Sequence, residues 1–272
     1  MVRIPAAHQN RDVRNIKKLP ASFTYSGLVS MPYMDSVNLW LDAFDASTIT
    51  QLAGLVSQWD DKSSSGNHAI QGVGSDQPIT GSDTINGKNV ITFDGVSDFM
   101  TVDSMLATLQ ANSEYTLFIV GKTNSTARHT FFSAGDTGDP SSEHAHQTLS
   151  STIGLLSRNN GTGLYAVGQE FLGAYTSANP FLYTYQTSDT ADGDGDKSVI
   201  SVDGVKVNGD VNRVSFSDVA SLDGVNLGRN RDSSGGEYYL SGNIAEVVLY
   251  NRPLTAQEKA LVENLLTNKW GL

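Results

Sequence analysis

Three kinds of side chain in this sequence could do chemistry: carboxylates spaced for a cation, imidazoles spaced for a metal, and aromatics alternating along a strand. Asp192-Gly193-Asp194-Gly195-Asp196 carries the alternating aspartates of a calcium loop. Lys197 stands where such a loop requires glycine, and Asp203 where it ends in a bidentate glutamate, so an acidic hairpin loop is the competing reading. Asp60 and Asp61, with Asn67, offer a second set of hard oxygen ligands for calcium. His144-Ala145-His146 would set both imidazoles on one face of an extended strand, but without a matched third ligand the pair reads as an exposed loop. No cofactor other than calcium is suggested. Phe181, Tyr183 and Tyr185 alternate onto one strand face, and Tyr238-Tyr239 follow the flexible loop 232–236. Aromatic faces stack on sugar rings, yet the same stripe fills the core of a β-sandwich. Both readings stand for Tyr183 and Tyr185; of Tyr238 and Tyr239, one must point outward if the chain there is extended.

Residues for catalysis are harder to find. Retaining glycoside hydrolysis needs two carboxyl groups about 5 Å apart, whereas Glu114, Glu143, Glu170, Glu237 and Glu246 stand alone. No Gly-x-Ser-x-Gly elbow occurs. With no cysteine in the chain, thiol nucleophiles, thiolate zinc sites and disulfide scaffolds are excluded. The expectation is a protein without catalytic residues.

The elements that must position these side chains are mostly strands. Along 242–250, Ala245, Val247 and Leu249 alternate with Ile244, Glu246, Val248 and Tyr250, so the strand is apolar on both faces and belongs inside a layered domain. Asn251-Arg252-Pro253 ends it, because proline brings no N–H to a ladder. Thr255 and Glu258 then have the spacing of a capping box, and Leu261, Leu265, Leu266 and Trp270 follow at helical spacing. Asp203-Gly204 predicts a type I′ hairpin that pairs Val202 with Val205, Ser201 with Lys206 and Ile200 with Val207, its valines and isoleucine on one face. Further strands are expected at 37–42, 56–60, 89–93, 99–102, 115–120, 130–133, 153–157, 163–167 and 181–186. Twenty-six glycines among so many short apolar runs favour an all-β domain.

Charge is distributed unevenly. The chain carries a net −11, yet Arg3, Arg11, Arg14, Lys17 and Lys18 face only Asp12 and Asp35 within the first 35 residues. Residues 1–36 read as an extended basic arm whose apolar anchors include Phe23 and Tyr25, and 37–272 as the domain proper. An acidic body repels nucleic acid and anionic membranes, while a basic arm suits an acidic partner surface or a neighbouring subunit of a homo-oligomer. No apolar run is long enough to span a membrane, and Met1–Pro5 lacks the apolar core of a secretory signal.

The succession Leu39-Trp40-Leu41-Asp42, Trp59-Asp60-Asp61-Lys62-Ser63, Gly66-Asn67-His68-Ala69 and Val90–Phe93 with Asp94-Gly95 resembles the laminin-G-like, concanavalin-A-like lectin/glucanase superfamily. Ser201-Val202-Asp203-Gly204, Leu227-Gly228 and Gly242–Val247 through Leu254-Thr255 match its closing half in the same order. The resemblance implies an all-β jelly-roll sandwich of two antiparallel sheets, with a concave face often presented to glycans. It also implies a structural, hydrogen-bonded role for Glu246. The glucanase branch places Glu-x-Asp-x-x-Glu on one strand face, and that triplet is missing here. The family includes adhesive modules, lectins and phage virion proteins. The reading is a non-enzymatic virion surface protein, a capsid decoration or tail component. Its arm docks on other virion subunits, and its lectin-like body faces a host-surface glycan. The alternative is a secreted or cell-surface carbohydrate-binding module, placed extracellularly, with a glycoside hydrolase behind both.

Overall fold

A computed structural model of the chain describes residues 30–136, 138, 142–149, 152–159, 162–165, 177–210, 212–219, 221–230 and 238–272. The arm residues Arg3, Arg11, Arg14, Lys17, Lys18, Phe23 and Tyr25 lie outside the described residues, as do Glu170 and Glu237. The strands in chain order are β1 (Val37–Asp42), β2 (Ile49–Leu52), β3 (Leu55–Trp59), β4 (Ala69–Ile70), β5 (Ile79–Ile85), β6 (Lys88–Asp94) and β7 (Met100–Thr101). After the short helix α1 (Leu106–Ala111) come β8 (Tyr115–Thr123), β9 (His129–Gly135), β10 (Glu143–Leu149), β11 (Thr152–Asn159) and β12 (Thr162–Tyr165). β13 (Phe181–Thr187), β14 (Ser198–Val202), β15 (Val205–Asp210), β16 (Gly224–Leu227), β17 (Arg229–Asn230), β18 (Tyr238–Tyr239) and β19 (Ser241–Tyr250) lead to helix α2 (Ala256–Trp270).

Antiparallel pairing sorts the strands into a sandwich of two sheets. In the back sheet β19 lies centrally, with β8, β13, β14 and β15 following on one side. On its other side β6 pairs with its first half and β1 with its second. The front sheet runs β2, β3, β4, β7, β16, β9, β10, β11, β12. Between the sheets lies the main core, which includes Leu41, Trp59, Phe93, Leu117, Phe132, Val225 and Val247. A second apolar layer covers the far side of the back sheet, where Trp40, Phe118, Val248 and Tyr250 meet Met31, Val262, Leu266 and Trp270. The back sheet is therefore buried on both faces, as the doubly apolar runs of β8 and β19 require.

Helix α2 begins as its sequence dictates. The Thr255 hydroxyl accepts from the Glu258 N–H at 3.3 Å, and the Glu258 carboxylate accepts from the Thr255 N–H at 2.9 Å. Leu266 and Trp270 are buried as expected and Leu265 packs beside them, but Val262 completes the stripe in place of Leu261, which is left 37% exposed. A register shift in β19 between Ile244 and Glu246 has a similar effect. Ile244 joins Val247 and Leu249 in the main core, while Ala245 turns to the helix side. The Asp203-Gly204 turn has the expected positive φ values of 51° and 75°. Its pairs Val202–Val205 and Ser201–Lys206 form, but a second shift pairs Ile200 with Asn208 instead of Val207. Val205 is 63% exposed, so the hairpin tip projects past the core.

Glu246 locks the helix to the back sheet. Its carboxylate is buried and accepts from Trp40 Nε1 at 2.8 Å, Trp270 Nε1 at 2.7 Å and Lys269 Nζ at 2.6 Å. Lys269 also meets Asp42 at 2.6 Å, and Asp42 meets Lys62 at 3.0 Å. Burial works against the Lys269 charge, but Glu246 and Asp42 together hold its ammonium above the usual lysine range. A buried ion pair adds little net stability over an apolar replacement of both partners, whereas removing one partner costs about 3–5 kcal/mol. Lys269→Met should therefore lose about 3–5 kcal/mol in urea unfolding, and Leu249→Ala about 2–4 kcal/mol through its cavity. Leu261→Ala should stay within about 0.5 kcal/mol of the parent. A Lys269→Met protein as stable as the parent would contradict this account of the network.

Candidate functional site

Helix α2 packs against the back sheet, and cross-strand pairing shows which side chains occupy the outer face of the front sheet. Direct partners in a ladder share a face. Gln58, Ile70, Thr101, Asn226, Ser133, Ala145 and Leu156 form one continuous rung across seven strands. The neighbouring rung is Gly224, Gly135, Glu143 and Arg158. The rungs on either side of the first carry Leu227, Phe132, His146 and Leu155, and Val225, Ala134, His144 and Ser157, to the core side. The middle of the outer face is thus small and polar.

Several side chains converge there. Arg158 pairs with the buried Glu143 through Nη2, and Asn230 Nδ2 donates to the other oxygen of Glu143. Arg229 Nη2 donates to Asn226 Oδ1 at 3.1 Å, and its guanidinium lies 3.4 Å from the centre of the Phe99 ring. Ser133 Oγ donates to the Arg229 carbonyl at 2.7 Å, fixing β17 above the sheet. Three buried polar atoms of this cluster have no partner among the described residues: Asn226 Nδ2, Asn230 Oδ1 and Arg158 Nε. An unpaired buried donor or acceptor costs about 1–3 kcal/mol. Arg158 is about one-third exposed. Arg229, Tyr238 and Tyr239 are half-buried at the rim.

The sequence-derived candidates fare unequally. β18 sets Tyr238 opposite Asn230 and Tyr239 opposite Arg229, so this pair of tyrosines adjoins the cluster. The Arg128 guanidinium lies 4.3 Å from the centre of the Tyr238 ring. Tyr183 and Tyr185 are a correction: both are fully buried between the sheets and cannot contact a surface glycan. Tyr183 Oη bonds His146 Nδ1 at 2.9 Å, and Tyr185 Oη donates to the Val214 carbonyl at 2.6 Å. His144 and His146 likewise sit in a strand of the core, not in an exposed loop. Glu143, Arg158, Asn226, Arg229 and Asn230 were missed because only strand register brings them together.

The calcium candidates are occupied by the protein's own donors. Asp61 is buried and accepts from the N–H groups of Trp40, Ser63 and Asn67 at 2.8–2.9 Å, and from Ser63 Oγ at 2.6 Å. Asp60 accepts from Gln58 Nε2 at 2.6 Å. These two aspartates organise the loop after β3. Asp192, Asp194 and Asp196 do converge, with ligand atoms within 4.8 Å of one another. Lys206 Nζ, however, meets all three at 2.7–2.8 Å. Burial works slightly against the Lys206 charge, but the three carboxylates raise its affinity for the proton. An ammonium supplied by β15 therefore takes the place of a cation.

Asp94 and Asp98 are the carboxylates whose acidities diverge. Asp94 is held low by the N–H groups of Val96, Ser97 and Asp98 against a burial penalty. Asp98 is pushed up to about 6 by burial and by the Asp94 charge. Asp98 accepts from the Asp94 N–H at 2.9 Å, so the two close one turn after β6.

No protein-family model matches this chain, and no curated protein matches it in sequence. Solved structures match it in fold. Trypanosoma rangeli sialidase with 2,3-difluorosialic acid superposes with a TM-score of 0.58 at 15% identity, over 89% of this chain and 34% of that one. The CBM40 of Ruminococcus gnavus IT-sialidase gives 0.51 at 20% identity, over 63% of this chain and 96% of that one. NanB with Optactamide gives 0.51 at 17% identity, over 62% of this chain and 27% of that one. The chain thus spans about a quarter to a third of the two sialidases, and the CBM40 is matched over nearly its whole length. That CBM40 has also been solved bound to α2,3-sialyllactose. At these identities the likeness is one of fold, a lectin-like β-sandwich.

The Lys206 contacts make a calcium prediction. The thermal midpoint of the protein should be the same in millimolar calcium and in chelator, because Lys206 Nζ already occupies the point between the aspartates that calcium would need. A calcium-dependent rise in the midpoint would contradict the assignment.

Proposed function

We propose that this chain is a non-catalytic glycan-binding module of the concanavalin-A-like, laminin-G-like kind, and that its front-sheet face takes sugars bearing a carboxylate. The observation that carries the reading is the cluster of Arg158, Arg229, Glu143, Asn226 and Asn230. Among the described residues two guanidiniums and one carboxylate stand there, in a protein that is acidic as a whole. Guanidinium matches carboxylate by paired N–H donors, and the stack on Phe99 fixes the plane of Arg229. Asn226 and Asn230 are buried beneath this cluster, where they hold Arg229 and Glu143 in place. Tyr238 and Tyr239 lie where a sugar ring could stack. The sialyllactose complex of the CBM40 that shares this fold supports the same ligand class.

Hydrolysis has less support. Glu143 is the one carboxylate on the described part of the face and is tied to Arg158 and Asn230. A tyrosine nucleophile, the route open to sialidases, would need a readily ionised phenol. Tyr115, Tyr183 and Tyr185 are closed inside the core, away from any substrate, and burial pushes their phenols up.

We place the module on a virion surface, on one observation: the basic excess of the first 35 residues against an acidic remainder, which suits docking on acidic neighbouring subunits. The same face would serve a secreted or cell-surface module.

Titration calorimetry with sialyllactose and with lactose tests the binding reading. Sialyllactose should bind and lactose should not. Arg229→Ala should weaken binding about 10- to 100-fold, the value of a charge-assisted hydrogen bond. Equal binding of the two sugars, an unaffected Arg229→Ala protein, or release of free sialic acid would overturn it.

A further inference from the structure

β10 serves two environments at once. Glu143 points to the outer face, while His144 and His146 point into the core. The two imidazoles share a neutral network: Tyr115 Oη lies 2.7 Å from His144 Nε2 and 3.2 Å from His146 Nε2. His144 Nδ1 lies 3.2 Å from Ser157 Oγ, and His146 Nδ1 lies 2.9 Å from Tyr183 Oη. Both rings are fully buried, and Phe216 stacks 4.0 Å from the His144 ring centre.

Among the described residues the groups facing the pair are uncharged: Tyr115 from β8, Phe132 from β9, Ser157 from β11, Tyr183 and Tyr185 from β13, and Phe216. Asp218 and Asp210 act electrostatically on the tyrosines, not on the imidazoles, and Asp218 is paired with Arg213 at 3.0 Å. Glu143 and Arg158 are spent on each other on the opposite side of the strand. An imidazolium here would have no counter-charge, and its partners would have to rearrange to accept two further N–H donors.

We infer that β10 is an acid-responsive strand: proton uptake at His144 and His146 breaks the buried ring network, loosens the strand that carries Glu143, and so dismantles the glycan-binding face at acidic pH. The loss of ligand rests on the glycan-binding reading above; the loosening of the strand does not.

Burial holds His146 down to about 3, and burial together with the neighbouring His146 holds His144 well below the usual histidine range. The folded pair stays neutral while the opened chain protonates below about pH 6.5. Opening therefore gains about tenfold per histidine for each pH unit below that value, until the folded pair itself protonates. Two histidines give about a thousandfold increase at pH 5 and about ten-thousandfold at pH 4.5. The Asp98 carboxyl, pushed up to about 6, works in the opposite direction, because it is relieved of charge as the pH falls.

The test pairs hydrogen exchange with binding on the full chain. Exchange of the amides of residues 143–149, corrected for intrinsic rate, should accelerate by about two decades per pH unit between about pH 6 and pH 5. In His146→Gln the slope should halve. Sialyllactose affinity, measured in parallel, should fall at least tenfold between about pH 7.5 and pH 4.5, and less in His146→Gln. A flat exchange profile for residues 143–149 in the parent protein overturns the inference, whether or not the variant folds. Affinity lost without that acceleration overturns it too, as does affinity retained at pH 4.5. If sialyllactose fails to bind even at pH 7.5 while exchange accelerates as stated, the acid-responsive strand stands and the ligand assignment falls.

Discussion

The carboxylate of Glu246 is the interaction on which the rest of this structure depends. It collects the indoles of Trp40 and Trp270 and the ammonium of Lys269 at 2.6–2.8 Å, so β1, β19 and α2 meet at one buried point. A carboxylate desolvated to this degree is tolerated only when its acceptors are filled and its charge is matched. Lys269, bridging to Asp42, does both. The helix is thereby fixed in register on the back sheet. A longer apolar contact could have supplied the adhesion, but not the register.

That attachment divides the labour between the two sheets. The centre of the back sheet, covered by core on one side and helix on the other, is committed to stability, and β8 and β19 carry apolar side chains on both faces. The front sheet uses one side chain in two for the core and presents Thr101, Asn226, Ser133 and Glu143 on the other side. Polar groups are buried there, with Glu143 tied to Arg158 and Asn230, and Asn226 to Arg229. β10 ties the two roles together, because its alternation sends a carboxylate outward and two neutral imidazoles inward.

Much of the fold was legible in the sequence. The strand 37–42 and the double-faced strands at Tyr115 and Gly242 could be read, as could the Asp203-Gly204 hairpin and the capped helix, since each rests on local chemistry. What failed were parities. Shifts at Ala245 and after Ile200 turn single residues to the other face, and nothing in an apolar run announces a bulge. The site was less legible. Tyr238 and Tyr239 could be picked out as aromatics beside a loop, but Tyr183 and Tyr185 have the same local pattern and lie in the core. Glu143 and Arg158 look isolated in sequence and become partners through the β10–β11 register. Three aspartates suggested a cation, and the cation proved to be a lysine ten residues past the last of them. His144-Ala145-His146 was read as an exposed loop because two histidines in a core strand are costly unless every nitrogen finds a partner, and the partners come from β8, β11 and β13.

The central claim is that the face opposite the helix-covered sheet, not the helix side, meets the ligand. The most direct measurement is a titration of isotopically labelled protein with sialyllactose, followed through backbone and side-chain amide resonances. The account predicts that the side-chain amides of Asn226 and Asn230 and the backbone of Glu143, Arg158 and Arg229 shift together along one saturable curve, with α2 unmoved. Shifts centred on α2 or on the Asp192–Asp196 loop, with the front-sheet resonances still, would contradict it.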